Sequence, residues 1–440
     1  IYSVLDLKKI LKTKRVDQVF LAIPSLGRKN KNKIIDKLNK YSLNVKTLPS
    51  LSELADGKIT LSDIKEFNVN DLLNRDEIIP DIDLLNKNIN SQTVIVTGAG
   101  GSIGSELCRQ IIRLKPKKLL LFELNEFALY KIYEELKSIN KNLKILPIIG
   151  NVQDQIKLEI ILEKFKVDTV YHSAAYKHVS IVENNICEGI KNNVIGTLSI
   201  TKASIKKNVK NFVLISTDKA VKPTNIMGAS KRLAELCVQG LKNSNKDKLT
   251  NFSIVRFGNV INSSGSAIPK FKEQIKQGGP ITLTHLEVTR YFMTIFEAAQ
   301  LVIQAGALGK NAEVFILDMG ESVKIIDLVY RMVTFSGLTI KDKNNIDGDI
   351  EIKNIGLRPG EKLHEELLLG NNPEVTIHPK IQKIDEPFII FEKLEKELDK
   401  LNKFLANEDS KNVKEIITSI VSSYNSNAEL VDIMFVKEED

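Results

Sequence analysis

A doubly wound parallel α/β sheet is the fold class the sequence predicts, and three observations predict it. A buried-strand pattern at Gln92–Thr97 runs into Gly98-Ala-Gly-Gly101-Ser-Ile-Gly104 and then into a helical pattern. Short apolar runs at 118–123, 144–150, 169–172, 211–215 and 252–257 alternate with helical stretches. A polar cluster, Thr217-Asp218-Lys219, follows one of these runs, at the strand edge where such sheets bind ligands.

The chain has 440 residues, 42% apolar and 27% charged, which suits a soluble protein of two or three domains. Its net charge of +8 is spread along the sequence. No basic block argues for nucleic acid, and a mildly basic surface suits a small anionic substrate. Cys108, Cys187 and Cys237 are far apart and read as buried small hydrophobes in a reducing compartment. The five histidines show no ligand spacing, so no metal is expected. No apolar run approaches a membrane span and no signal peptide is visible. The start at Ile1 reads as that of an excised soluble fragment.

Residues 1–60 alternate helix and strand patterns and predict a partial Rossmann-like accessory domain, with strands at Asp17–Pro24 and Asn44–Pro49 and a helix at Ile34–Tyr41. Residues 61–90 read as a linker. Residues 91–257 form the dinucleotide-binding domain. In it Gly98 permits a tight turn, Gly101 lets backbone approach a pyrophosphate, and Gly104 lets helix pack closely on strand. The second strand ends in Glu123, 25 positions after Gly98, suited to the adenosine ribose hydroxyls. Leu124 and Asn125 follow, with no Arg for a 2′-phosphate, which favours NAD over NADP. Asn151 and Val152 fall where an adenine would lie. Ala174 and Ala175 are small enough for backbone to pass a cofactor. His172 reads as a packed core histidine, and Tyr176 and Lys177 are open to either a structural or a functional reading. Residues 258–380 read as a smaller lobe interleaved with the first domain, and 381–440 predict C-terminal helices. The heptad-like stripe at Phe388–Ala406 suits packing on its own domain better than an oligomer. Val413–Ser423 is a second helix, and Val436–Asp440 reads as a frayed end.

The segments TGAGGSIGSEL, HSAAYKHV, NNVIGT, STDKAV, MGASKR, RFGNV, TRYFMT and RPGEKLHEEL, in that order from Ser91 to about Leu368, resemble the extended short-chain dehydrogenase/reductases. Within them the chain is similar to the large, membrane-associated UDP-N-acetylglucosamine 4,6-dehydratases of bacterial glycan and protein-glycosylation pathways. The resemblance implies a membrane region ahead of this chain, on the cytoplasmic side of the inner membrane. It implies NAD as cofactor, with Ser102, Ile103, Tyr176, Asn193 and Lys231 added to the residues that hold it. It also implies a homo-oligomer, with helices at Glu183–Lys206 and Ala229–Lys242 as the seam. One departure stands out: where the superfamily has Tyr four residues before Lys231, this sequence has Met227. A thioether is no acid or base at neutral pH. Met at this place is usual in the large branch and goes with retention at C5.

For the dehydration that the resemblance implies, Thr217 would bond the C4 oxygen, Asp218 would protonate the departing C6 hydroxyl, and Lys219 would be the C5 base, while Thr217, Asp218 or a water would serve the C4 hydroxyl proton. Lys231 and the nicotinamide charge are expected to depress the Lys219 pKa. Asn259, Ser263, Lys270 and Lys177 would face the UDP-sugar, Arg290 and Arg358 its diphosphate, and Glu361 the uridine ribose. Two other readings remain: a nucleotide-sugar epimerase, and a catalytically inactive nucleotide-sugar sensor suggested by Met227.

Overall fold

The computed structural model describes residues 79–435 apart from 247, 344, 368–372 and 426–429, and before these 10, 13, 16, 18–21, 23, 34 and 44–47. The chain divides into two compact units. The main unit gathers residues 78–264, 293–319 and 357–440, the smaller one residues 1–77, 265–292 and 320–356.

In the main unit, helix α1 (Ile82–Lys87) leads into β1 (Thr93–Thr97) and α2 (Ser102–Arg113). Then follow β2 (Lys118–Glu123), α3 (Glu126–Ile139), β3 (Ile145–Ile149), α4 (Gln155–Phe165) and β4 (Thr169–His172). Two short helices, α5 (Val179–Glu183) and α6 (Ile186–Ile190), run through a π-turn at Lys191–Ile195 into α7 (Gly196–Lys206). Next come β5 (Asn211–Ile215), α8 (Ile226–Ser244), β6 (Asn251–Arg256), α9 (Ile295–Leu308) and β7 (Asn311–Leu317). The unit ends with β8 (Glu374–Val375), β9 (Ile381–Ile384), α10 (Phe391–Ala406) and α11 (Ser410–Ile420).

The sheet order is β8-β9-β7-β6-β5-β4-β1-β2-β3. The run from β7 to β3 is parallel, and β9 and β8 add antiparallel edges. Strands such as Thr-Val-Ile-Val-Thr and Asn-Phe-Val-Leu-Ile are buried throughout, as expected where helices cover both faces of a parallel sheet. The chain moves outward from β1 to β3, then returns to the other side at β4, so the switch point lies between β1 and β4. The predicted strands from 92 to 257 match to within one residue. β7 was not anticipated.

The domain boundaries fall differently from the expectation. The supposed linker ends before residue 81. Asp81 caps α1 by accepting from the Asp83 and Leu84 amides, and its own amide donates to Gln304 Oε1 on α9. Lys87 Nζ and Asn88 Nδ2 donate to the Ala307 and Gly306 carbonyls, while Leu84, Leu85 and Ile89 are buried. The 258–380 lobe is also split, because α9 and β7 belong to the main unit and β7 pairs with β6 in its sheet.

The helices expected to form a dimer seam are covered from within. α8 is buried from Ile226 to Lys242, and α10 and α11 pack on it. Leu394, Leu398, Leu401, Val413 and Ile417 join Leu233, Leu236, Cys237, Val238 and Leu241 in one core. A Cβ on Gly240 would lie 2.9 Å from the Ile389 carbonyl oxygen, so the incoming chain sits directly on α8. The heptad-like stripe therefore packs on its own domain, against the outer side of α8. Burial raises the thiol pKa of all three cysteines.

In the smaller unit, Gln18–Leu21 pairs in parallel with Asn44–Thr47, as the accessory-domain reading anticipates. Ile281–Leu283, Ile350–Asn354 and Ile340–Lys341 form a parallel three-stranded sheet, joined by helices Ala267–Lys276 and Ile325–Phe335. The expected helix Ile34–Tyr41, apart from Ile34, and the terminal Val436–Asp440 lie outside the described residues. Among the described residues no helix is long and apolar enough to cross a membrane.

Behind the sheet edge lies a closed charge cluster. Arg256, at the end of β6, donates through Nε to Glu235 (2.8 Å) and also pairs with Glu386. Arg232 lies 3.0 Å from both carboxylates and donates to the Pro387 carbonyl. Burial alone would raise the Glu235 pKa, but Arg256, then Arg232 and Ser216, outweigh it and hold the carboxyl well below its ordinary range. Two guanidinium groups and two carboxylates balance, so the burial is tolerated only while all four remain. Replacing Arg256 with Ala strands two buried carboxylates, and urea unfolding is expected to show a loss of about 3–5 kcal/mol.

Candidate active site

The first turn of the site is built by glycines. Gly98 has φ +66°, and a Cβ there would lie 2.7 Å from the Ala174 amide nitrogen. A Cβ on Gly104 would fall 2.0 Å from the Gly98 carbonyl oxygen. These close approaches press the N-terminus of α2 against β1 and β4. The N-cap, Gly101, makes no side-chain capping bond, so the helix amides face the trough with their positive dipole end. Ser102 is at that N-terminus, where its Oγ accepts from the Ser264 amide and bonds the Ser264 hydroxyl.

Two cavities run along the C-terminal edge and share Gly101, Ser173, Ala175, Tyr176 and Ser264 in their walls. One, about 630 Å³, is lined by Gly98, Glu123, Asn125, Asn151, Val152 and Ala174, among others. The other, about 600 Å³, is lined by Ile103, Thr217, Lys219, Met227, Lys231 and Asn259, among others. Lys177 and Ser263 also line the second cavity. Most of the predicted cofactor residues thus converge on one trough, with the reactive cluster at its far end.

Details differ from the expectation. Glu123 is anchored to backbone: Oε2 accepts from the Gly100 amide (3.0 Å) and Oε1 from the Leu124 and Asn125 amides. The carboxylate therefore braces the glycine turn and faces the cavity with its remaining lone pairs. Asn125 caps α3 through the Ala128 amide, and Asn151 accepts from the Gln153 amide. Asn193, expected at the cofactor, lines neither cavity. It is carried inward by the π-turn and is fully buried. Its amide spans the Tyr176 N–H and C=O and also donates to Ser230, so it fixes the Ala174–Lys177 turn. His172 is a core residue between the Thr97 and Thr197 hydroxyls. Burial, then the Lys231 charge, pushes its imidazole down to about 3.

The reactive loop follows β5. Ser216 donates to Glu235 of the charge cluster, and the Asp218 amide donates to the Phe257 carbonyl. The Thr217 hydroxyl donates to Asp218 Oδ1 (2.9 Å). Lys219 Nζ lies 3.0 Å from Asp218 Oδ1, 3.1 Å from Asn259 Oδ1 and 3.6 Å from Glu365 Oε1. Asp218 is 1% exposed, and its Oδ2 has no hydrogen-bond partner among the described residues. Lys231 was expected beside Lys219. Instead its Nζ donates to the Ile215 carbonyl (2.8 Å), and the groups found around Lys219 are carboxylates and an amide. Met227 and Lys231 share the inner face of α8, four residues apart.

Arg358 is exposed and belongs to the main unit, where it closes a turn with Glu361. Lys270 and Arg290 lie in the smaller unit, and the Arg290 guanidinium donates to the Thr289 carbonyl. Neither lines the two cavities. Sequence reasoning missed Glu365, Ser264 and the Glu235–Arg256 cluster. The MGASKR, RFGNV and RPGEKLHEEL segments contain or adjoin most of these residues, yet residue type alone did not set them apart. Among the described residues no cluster could hold a metal ion.

The polysaccharide biosynthesis protein family model matches residues 94–386, which span both cavities and the reactive loop. The chain belongs to that family. It is 43% identical over 376 residues to the capsular polysaccharide biosynthesis protein CapD of Staphylococcus aureus, covering 85% of this chain and 61% of CapD. It is 30% identical over 307 residues to a UDP-N-acetylglucosamine 4,6-dehydratase (inverting) of Campylobacter jejuni, covering 68% and 86% of the two chains. The solved structure of Pen from Bacillus thuringiensis superposes with a TM-score of 0.57 at 35% identity, covering 64% of this chain and 85% of Pen. This family member spans about three-fifths of the length of curated relatives such as CapD. The resemblance read from the motifs and the Rossmann-like sheet both hold.

Two outcomes follow from this geometry. Gly104→Ala pushes a methyl group into the Gly98 carbonyl, and isothermal titration with NAD is expected to show binding abolished. Lys231 has a pKa lowered by burial to about 8 from 10.5. Between those values the unfolded chain holds a proton that the folded chain sheds, so folding stability rises with pH there. Below pH 8 the ammonium is buried at a cost. Lys231→Met is therefore expected to raise the melting temperature at pH 7, with the gain fading as the pH climbs from 8 to 10.5.

Proposed function

We propose that this protein removes water from UDP-N-acetylglucosamine across C5 and C6 with NAD bound, giving the 4-keto-6-deoxy sugar nucleotide. The observation that carries this reading is the triplet Thr217-Asp218-Lys219, held as one hydrogen-bonded unit, with Thr217 and Lys219 in the wall of a cavity that reaches the glycine turn and Asp218 buried behind them. The glycine turn, the uncapped α2 N-terminus and Glu123 suit a dinucleotide. Bound NAD would supply the hydride acceptor at C4 and the hydride donor at C6.

The residues of this chain would do the rest. The Thr217 hydroxyl and Asp218 would take the C4 hydroxyl proton, because the Met227 sulfur cannot. Asp218 then carries the proton needed at C6, and a carboxyl buried from water is suited to hold it. Lys219 enters the cycle as the neutral amine, its ammonium proton given to solvent before hydride transfer, so that the C4 proton is the only one Asp218 takes up and acid and base stand side by side. The amine takes the C5 hydrogen, and the C5–H electron pair forms the C5=C6 bond. The C6–O bond breaks, and the oxygen leaves as water with the Asp218 proton. On return, the Lys219 proton goes back to C5 as hydride reaches C6. A single amine returns its proton to the face it came from, so retention at C5 is the course we infer. Asn259 holds Lys219 in place, Lys177 and Ser263 face the sugar nucleotide, and Arg358 and Glu361, which line neither cavity, are proposed for its diphosphate and uridine from the resemblance. Lys270 and Arg290 are proposed for the same ligand on the resemblance alone.

An epimerase would use the same cofactor trough but has no need of an acid and a base for C5 and C6. Mass spectrometry after incubation with UDP-N-acetylglucosamine is expected to show a product lighter by one water. Unchanged mass would reject the dehydratase reading in favour of an epimerase or a sensor. Lys219→Ala is expected to bind NAD and yield no dehydrated product, and full turnover by that variant would refute the base assignment.

A further inference from the structure

In the segment Arg358–Leu367, Arg358 was expected at the diphosphate and Glu361 at the uridine ribose. In the structure the middle of the segment is stapled to the turn that joins the reactive loop to α8. The Gly360 carbonyl accepts from the Thr224 hydroxyl (2.9 Å) and from Asn225 Nδ2 (3.0 Å). Lys362 Nζ donates to the Val221 carbonyl (3.0 Å), and Lys222 pairs with Glu366 (2.8 Å). Gly360 has φ +73°, and a Cβ there would lie 2.7 Å from Asn225 Cβ. Asn225 is itself the N-cap of α8, so one staple fixes the segment to the helix that carries Met227 and Lys231.

The staple delivers Glu365. Its side chain is 4% exposed and its Oε1 is 3.6 Å from Lys219 Nζ. The groups around this amine come from several elements. Asp218 lies on its own loop, Asn259 follows β6, and Glu365 comes from the stapled segment. Lys231 of α8 lines the same cavity but spends its Nζ on the Ile215 carbonyl. A carboxylate taken out of water is costly unless a cation compensates it, and Lys219 is a cation within reach. Asp218 is engaged in the chemistry and changes charge during it. Glu365 is assigned no step of that chemistry.

We propose that Glu365 is a positioning residue for Lys219: it fixes where the amine stands and, by its standing negative charge, secures the proton Lys219 has collected until that proton is returned. The proposal rests on the dehydratase reading for its catalytic consequence, but the coupling between the two side chains does not.

The test uses Glu365→Gln, which keeps shape and removes charge, and Glu365→Asp, which keeps charge and shortens reach. The first readout needs no substrate: nitrogen-15 lysine NMR, with the Lys219 signal assigned by its loss in Lys219→Arg. The Lys219 titration midpoint is expected to fall in Glu365→Gln, because a nearby negative charge has gone. It is expected to stay near that of the parent in Glu365→Asp. The second readout is dehydration of UDP-N-acetylglucosamine against pH. In Glu365→Gln, kcat is expected to drop by up to about 100-fold with little change in KM, and the acid limb of kcat/KM to move to lower pH. In Glu365→Asp, kcat falls and the limb stays. An unmoved Lys219 midpoint in Glu365→Gln overturns the proposal, as does parental kcat in both variants or a rise in KM alone. If the parent protein forms no dehydrated product, the dehydratase reading fails by itself, and the NMR titration still decides the coupling.

Discussion

Arg256 ends a buried strand with its guanidinium enclosed by the Glu235 and Glu386 carboxylates. The arrangement is a constraint before it is a source of stability, since each member is tolerable only because the others neutralise it. Its geometry reaches the site by two routes. Glu235 is one turn beyond Lys231 on α8, so the cluster sets the depth of that helix. Glu235 also accepts from Ser216, the residue ahead of the reactive triplet. The cluster therefore fixes both walls of the cavity that holds Lys219, from a position behind the sheet edge.

Forward of that cluster, the site is a balance of a few full charges in a dry place. Lys219 meets carboxylates, while Lys231 meets a carbonyl and lies near a buried, neutral imidazole. Two lysines in one cavity are thus kept in opposite electrostatic settings, one paired and one stripped of water. In the proposed reaction this division of labour stands in for the tyrosine hydroxyl that Met227 displaces, and a thioether at the inner face of α8 is then compatible with proton chemistry beside it.

Much of this could be read in advance. The central strands are continuous apolar runs because helices cover both of their faces, and that pattern is visible locally. The glycine turn was legible because each glycine answers a different steric demand within seven residues. What escaped depends on distant partners. Arg256 and Glu386 are 130 residues apart, and nothing in RFGNV or DEPF announces a pair. Glu365 lies in HEEL, where three charged or polar residues in a row hide which one turns inward. Asn193 was legible as important but not as a clamp on Tyr176, because the π-turn that rotates it has no local signature. The unit boundaries were missed for the same reason: α9 and β7 leave the neighbouring segments and return to a sheet begun two hundred residues earlier.

The chain wraps α8 with its own closing helices, and this has a consequence for how the protein can be handled. A helix that carries reactive groups on its inner face usually needs something on its outer face. Here that backing is tethered in the same polypeptide, at a fixed local concentration. Dilution cannot remove it. That backing is then a property of each single molecule, whatever its concentration.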